Sequence, residues 1–150
     1  MEPPAFCYAF AQNYQAVKYL RLDGAGVTGK DLLRKIKQYL SSQIPAVFGF
    51  SVFSSLNEVS DGRIPFPGEN EKLEGGHAVT AVGFDDSIEI SHPNNPKQKT
   101  KGAILLRNSW GEEWGEKGYG WLPYRYILQG LAIDWWVLLK SEWVDTSVFK

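Results

Sequence analysis

The clearest hydrophobic pattern in the chain is one apolar stripe at helical spacing, with cationic side chains mainly on the opposite face. The apolar positions are Leu32, Leu33, Ile36, Tyr39 and Leu40. Thr28 is a capping residue, and Asp31 follows three positions later, as in a capping box. Pro45 ends the segment, because the residue before a proline avoids the helical conformation. The pattern predicts one main helix over about residues 28–42.

The other apolar segments favour strands, because they are rich in β-branched and aromatic residues and are bounded by turn formers. They read AVKYLRL, AVFGFSVFSSL, HAVTAVGF, AILLRNSW and DWWVLLK. Residues 60–76 form a predicted long surface loop, and residues 85–102 a wide hairpin loop. Glycines at 111, 115, 118 and 120 predict tight backbone bends. One helix with an antiparallel sheet places the chain in the α+β class.

Composition indicates a packed domain without a nucleic-acid or membrane partner. The 150 residues are 43% hydrophobic and 14% aromatic, which excludes a disordered chain. Sixteen Lys and Arg balance 17 Asp and Glu, so neither nucleic acid nor an anionic membrane surface is expected. No apolar run approaches the roughly 18 residues of a transmembrane helix. The local cluster of Lys97, Lys99 and Lys101 is interpreted as a solvated loop.

Cysteine and histidine are too few for a disulfide or a metal site. Cys7 is the one cysteine, so no internal disulfide forms; this leaves the compartment open while favouring a reducing, cytoplasmic environment. The two histidines are His77 and His92, and His92 is predicted to lie in a loop beside Pro93. They offer no spaced ligand set, so we expect no metal and no cofactor.

His77, Asn108 and Trp110 form the constellation that points to chemistry. Taken singly, they suit a packed histidine, a turn residue and a core aromatic. Taken together, they sit at the ends of two strands that a hairpin can pair. A side-chain amide can fix the tautomer of an imidazole, whose other nitrogen then exchanges a proton with a thiol. An indole that keeps water away strengthens the amide–imidazole bond, which makes two-thirds of a Cys-His-Asn device.

The stretches GGHAVTAVGFDD and RNSWGEEWGEKGYGWLPY resemble the two C-terminal signature regions of papain-like cysteine peptidases. The compact bacterial members are the most similar, sharing PAVFGFSVF and YGWLPYRYI. The resemblance implies the right-hand lobe of that fold, an antiparallel β half-barrel. Residues 1–24 would be the lead-in and crossing segment and residues 25–150 the lobe, in a single domain.

The same resemblance implies a polypeptide substrate and assigns a role to each site residue. His77 would be the general base and then the general acid, Asn108 its orienting partner, and Trp110 the cover of their bond. Gly75 and Gly76 would let the substrate backbone approach the histidine, as glycine allows where chains pass closely.

Cys7 is the candidate nucleophile that the chain itself offers, and three observations count against it. FCYAFA resembles the nucleophile motif of the family, but Cys7 lies 70 positions before His77, against about 130–150 in the family. Residues 1–6 contain no glutamine for an oxyanion hole. PPAFCYAFAQNYQAVKYLRL also resembles a stretch downstream of the bacterial nucleophile. We therefore interpret Cys7 as a small buried hydrophobe.

If Cys7 is not the nucleophile, a missing N-terminal helical lobe would carry that cysteine and the oxyanion glutamine. The chain would then be inactive alone. One alternative is a non-catalytic, peptidase-like module for binding or assembly, since an exposed half-cleft favours self-association. Another is that Cys7 is the nucleophile of a shortened or self-associated fold.

Overall fold

The computed structural model describes residues 2–11, 14–59 and 61–143, which form a sheet with three helices. The helices are α1 (Ala5–Ala11), α2 (Gly29–Ser41) and α3 (Tyr124–Leu128), and a short 3₁₀ helix spans Ser54–Glu58. The strands are β1 (Tyr14–Arg21), β2 (Ala46–Phe53), β3 (Leu73–His92), β4 (Asn95–Arg107), β5 (Tyr119–Pro123) and β6 (Ala132–Trp143). Residues 144–150, part of the predicted lobe, lie outside the described chain.

The six strands form one open sheet in the order β1-β6-β2-β3-β4-β5, and each neighbouring pair is antiparallel. This confirms the predicted α+β class with an antiparallel sheet. The longest helix, α2, begins and ends within one residue of the predicted bounds.

Local signals account for α2. The backbone N–H of Asp31 donates to Thr28 Oγ1 over 3.2 Å, and the Thr28 hydroxyl donates to the Asp31 carboxylate over 2.7 Å. Leu32, Ile36 and Leu40 are buried against the sheet, as the spacing of the apolar stripe predicts. The helix therefore combines a satisfied N-terminus with one desolvated face.

One face of the sheet forms the core, and the other exposes apolar side chains. Alternation along β2 buries Phe48 and Phe50 and leaves Val47 half exposed. The rings of Phe48 and Trp135 stack with centroids 3.9 Å apart, and Trp135 is fully buried. The sheet therefore supports one core beneath α2 while its opposite face stays open.

The predicted wide loop at residues 85–102 is wrong. β3 continues to His92 and β4 begins at Asn95, so only a two-residue turn separates the strands. Ile90 and Thr100 are buried, and the Thr100 hydroxyl donates to the Ile90 carbonyl over 3.2 Å. The segment is rich in polar residues because one face of each strand is solvated, and the same composition is typical of a loop.

The lysine cluster is exposed as expected, but it lies on strand β4 and not in a loop. Lys97, Lys99 and Lys101 occupy alternate positions and share the solvated face. Strand β5 pairs with only part of β4, so the rest of that edge of β4 is unpaired. Charged side chains along an unpaired edge discourage another strand from adding to it. The cluster therefore has a structural explanation.

The segment between the 3₁₀ helix and β3 is more buried than a surface loop. Ile64 and Pro65 are fully buried, and the Tyr126 hydroxyl donates to the Pro65 carbonyl over 3.0 Å. Strand β3 starts at Leu73, four residues before the predicted His77 start, and β2 ends at Phe53. The buried loop and the short elements β5 and α3 depend on long-range contacts that the local pattern does not reveal.

Candidate active site

His77 occupies the core-side face of β3, where the neighbouring strand positions it. Phe50 of β2 is its cross-strand partner, and the two rings approach edge to face with centroids 6.0 Å apart. The imidazole is half-buried. Pairing on both sides of the backbone near this position restricts where the ring can point.

Asn108 reaches His77 because it directly follows β4. The β3–β4 register pairs Thr80 with Arg107, which places the next residue toward the His77 end of β3. The Asn108 backbone N–H donates to the Gly118 carbonyl over 2.9 Å, and the residue is 6% exposed. Antiparallel geometry therefore brings together two residues 31 positions apart.

The Asn108 carboxamide oxygen accepts two hydrogen bonds. Ser109 N–H donates to Asn108 Oδ1 over 2.8 Å, and His77 Nε2 lies 2.8 Å from the same oxygen. Because a carboxamide oxygen only accepts, Nε2 of His77 carries the proton in this arrangement. Nδ1 is then the basic nitrogen, and it has no hydrogen-bond partner within residues 2–11, 14–59 and 61–143.

Trp110 covers one face of the histidine. The indole and imidazole rings stack with centroids 4.6 Å apart and an angle of 22° between them. Trp110 is itself 48% exposed, so its outer face meets solvent while its inner face shields the imidazole. The three residues that the sequence singled out are thus assembled in one cluster.

Trp114 is a supporting residue that the motif analysis did not assign. Its ring meets Trp110 edge to face at 5.6 Å and 90°. Gly120 makes room for it, because a Cβ there would lie 2.5 Å from the Trp114 ring. Gly115 has a φ of 57°, which lets the chain turn between the tryptophan and β5. The sequence feature that could have predicted this contact is the four-residue spacing of the two tryptophans.

Gly75 and Gly76 lie just before His77 and leave open space beside it. Both are exposed, and a Cβ at Gly75 would meet no atom within 4 Å. The φ of Gly75 is 153°, which favours glycine. The segment leaves the backbone beside the imidazole accessible.

Cys7 does not have the environment that the sequence suggested. It is exposed on α1, a helix in which no residue is buried. The prediction of a small buried hydrophobe is therefore wrong. A seven-residue helix that packs none of its residues into the core cannot shelter the thiol.

His92 is also placed differently, at the end of β3 and not in a loop. It is 6% exposed and its Nε2 bonds Glu71, while Asn94 N–H donates to its Nδ1 over 3.2 Å. Both ring nitrogens are thus engaged in holding the hairpin turn and the preceding loop. The described residues contain no group of three or more His, Cys, Asp or Glu side chains arranged to hold a metal ion.

None of the helices in the described residues is long and apolar enough to cross a membrane.

Comparisons with known proteins identify the family. The family model for papain family cysteine proteases matches residues 6–127. An uncharacterized peptidase C1-like protein of Acanthamoeba polyphaga mimivirus is 37% identical over 143 residues, covering 92% of this chain and 42% of the viral protein. The crystal structure of xylellain, a cysteine protease from Xylella fastidiosa, aligns with a TM-score of 0.71 and 40% identity over 96% of this chain and 46% of xylellain.

A more distant structure shares the fold. Bromelain from Ananas comosus aligns with a TM-score of 0.51 and 23% identity over 81% of this chain and half of that chain. The chain spans less than half the length of the viral relative and of xylellain. The match to the family model covers most of the 150 residues, and the chain belongs to the papain family of cysteine proteases.

Proposed function

We propose that this chain supplies the His/Asn half of a Cys-His-Asn site that hydrolyses polypeptides. His77 is the general base and then the general acid, Asn108 orients it, and Trp110 shields their hydrogen bond. The observation that carries the proposal is the 2.8 Å contact between His77 Nε2 and an Asn108 oxygen that Ser109 N–H also binds. That arrangement reserves Nδ1 for proton transfer.

The proposed chemistry moves one proton back and forth through Nδ1. His77 takes the proton of a cysteine thiol, and the thiolate attacks the amide carbonyl of the substrate. The imidazolium then gives that proton to the leaving amine, which breaks the C–N bond and leaves an acyl-thioester. Water, deprotonated by the same nitrogen, releases the acid and restores the thiol.

The thiol would come from a segment other than α1. Cys7 is exposed on a helix with no buried residue, so no packing holds its thiol in a fixed position for attack. The viral relative and xylellain are more than twice as long as the matched chain. A helical lobe that carries the nucleophilic cysteine and an oxyanion glutamine would complete the site.

The open face of the sheet is where this lobe would pack. Val47, Tyr19, Trp136 and Leu138 line an apolar hollow of about 500 Å³ on that face. Val47, Tyr19 and Leu138 are each more than half exposed. A contiguous apolar surface of this kind marks an interaction site.

A chimera tests the proposal. The portion of xylellain outside the match would be joined to this chain, and cleavage of a fluorogenic peptide amide would be measured. We expect turnover by the chimera, none by the chain alone, and a loss of about 10³-fold or more in kcat for His77→Ala. Cys7→Ser is the matched control and should leave turnover unchanged.

Each outcome separates the proposal from its alternatives. Turnover by the isolated chain that Cys7→Ser abolishes would establish Cys7 as the nucleophile and overturn the half-site. Full activity of the His77→Ala chimera would remove His77 from the mechanism. A chimera that folds and binds the peptide without cleaving it would favour a binding module.

A further inference from the structure

Cationic side chains are segregated on helix α2 although the whole chain is nearly neutral. The chain has 16 Lys and Arg against 17 Asp and Glu. Four of these cations lie on the thirteen residues of α2, against one acidic residue, Asp31. They are Lys30, Arg34, Lys35 and Lys37. A local excess of positive charge attracts anionic groups beyond what the net charge suggests.

Three of these cations lie at the rim of an apolar groove whose lining does not include His77, Asn108 or Trp110. The groove lies between α2, strand β3 and the end of α3, and its volume is ≈ 790 Å³. Leu33, Phe84 and Leu128 supply its apolar lining, and Leu128 is 42% exposed. A ligand in this groove could therefore bury apolar groups and pair its negative charges at the same time. A charged helix without apolar neighbours, or an apolar patch without charges, provides only one of these interactions.

The three rim cations differ in how firmly they are held. Lys37 is anchored, because its ammonium bonds Asp86 at 2.7 Å and lies 4.8 Å from the centroid of Phe84. Arg34 pairs with Asp31 at 2.8 Å, but its side chain remains 68% exposed. Lys30 is exposed and forms no ion pair with any residue of the described chain. Lys30 and Arg34 are thus available to an incoming anion.

The spacing of the available cations suits an extended peptide. Lys30 and Arg34 lie one helical turn apart, about 6 Å along the axis. Alternate side chains on one side of an extended strand are separated by roughly 6.6 Å. Carboxylates at alternate positions therefore match the two cations. The apolar residues between them point to the opposite side of the strand, where Phe84 of β3 and Leu128 of α3 can receive them.

We infer that this groove, lined by Leu33, Phe84 and Leu128 and rimmed by Lys30, Arg34 and Lys37, docks an acidic peptide segment that also carries apolar side chains. Coulomb attraction orients the segment, and burial of its apolar groups holds it. The surface acts apart from His77 and Asn108, so its occupancy does not depend on the proposed catalytic role.

The test measures binding of a fluorescein-labelled peptide with alternating Glu and Leu to the intact chain by fluorescence anisotropy. Lys30→Glu/Arg34→Glu should weaken binding by roughly tenfold or more, because two attractions become repulsions. Lys97→Glu/Lys99→Glu makes the same change in net charge on strand β4 and should bind almost as the parent does. His77→Ala should bind equally well.

Two further peptides separate charge from apolar contact. A Gln-Leu peptide and a Glu-Ser peptide should each bind at least about tenfold more weakly, since each lacks one half of the recognition. Leu128→Ser should reduce binding of the Glu-Leu peptide and leave binding of the Glu-Ser peptide unchanged. Circular dichroism verifies folding, and Lys30→Gln/Arg34→Gln is measured if the charge reversal unfolds the chain.

Three results would overturn the inference. The first is no saturable binding of the Glu-Leu peptide. The second is an equal loss in the two charge-reversed pairs, which would reduce the effect to net charge. The third is a binding footprint, mapped by amide NMR shifts, that avoids α2 and Phe84.

Discussion

The carboxamide of Asn108 decides which nitrogen of His77 is basic, so the proposed proton transfer depends on one buried side chain. Replacing Asn108 by Ala removes the acceptor of the Nε2 proton. We expect the single Nε2–H tautomer to become a mixture, visible in the ¹⁵N shifts of the imidazole. The lost bonds should also lower the free energy of unfolding by about 1–2 kcal/mol.

Asn57→Ala is the control for that change, because its side chain bonds the exposed Glu74 carboxylate, away from His77. It should leave the His77 spectrum unaltered. An unchanged tautomer ratio in Asn108→Ala would show that the strand and not the carboxamide fixes the imidazole.

The Glu71 carboxylate makes the stability of the fold depend on pH in the acidic range. Burial raises the pKa of its carboxyl, but hydrogen bonds from Ser55, His92 and Gly68 outweigh burial and lower it below the usual 4.5. Because the folded-state pKa is lower, the carboxylate stabilises the fold above pH 4.5, and this is lost as the pH falls through the folded pKa. Glu71→Gln should therefore cost about 1–2 kcal/mol near pH 6 and less near pH 3.

Urea unfolding across pH 3–7 measures this difference. Glu112→Gln is the matched control, since Glu112 is exposed in the glycine-rich loop and should barely alter the profile. If Glu71→Gln and the parent lose stability in parallel as the pH falls, the carboxylate contributes nothing to the acid response.

At the scale of elements, the N-terminus of α2 is held by a single capping side chain. Thr28 Oγ1 accepts the Asp31 N–H, so Thr28→Ala leaves that donor without its partner. We expect a loss of about 1 kcal/mol in the free energy of unfolding, measured by urea titration. Thr28→Ser keeps the hydroxyl and should retain most of the stability; equal losses in both variants would assign the effect to the Thr28 methyl group.

Some elements could be predicted from local sequence, and others could not. Helix α2 carries its cap and its apolar stripe within one segment, so its bounds were predictable. The β3–β4 hairpin was not, because Ile90 and Thr100 are buried only when the two strands face each other. His92 was read as a loop residue for the same reason: its partner Glu71 belongs to another segment.

At the scale of the whole molecule, the open face of the sheet exposes apolar side chains that no other described element covers. Val47 and Leu138 are each 51% exposed, so Val47→Lys/Leu138→Lys should change the stability of the chain by only about 0.5 kcal/mol. The same double variant should strongly reduce peptide cleavage by the xylellain chimera, because the added lobe would lose its apolar contact.

Leu128→Lys, on α3, is the control for that variant and should spare cleavage. Undiminished turnover with Val47→Lys/Leu138→Lys would place the lobe on another surface. Unfolding of the isolated double variant would show that these side chains serve the core instead.

Short-range patterns were enough to predict the α+β class and helix α2 and to select His77, Asn108 and Trp110 as candidates, because caps, periodicity and motifs depend on neighbouring residues. Tertiary structure alone decided that Asn108 Oδ1 binds His77 Nε2, that Trp114 supports Trp110, and that Cys7 is exposed. Each of these depends on strand register and on the packing of distant segments, and a distance between residues far apart in the chain exists only once the sheet has formed.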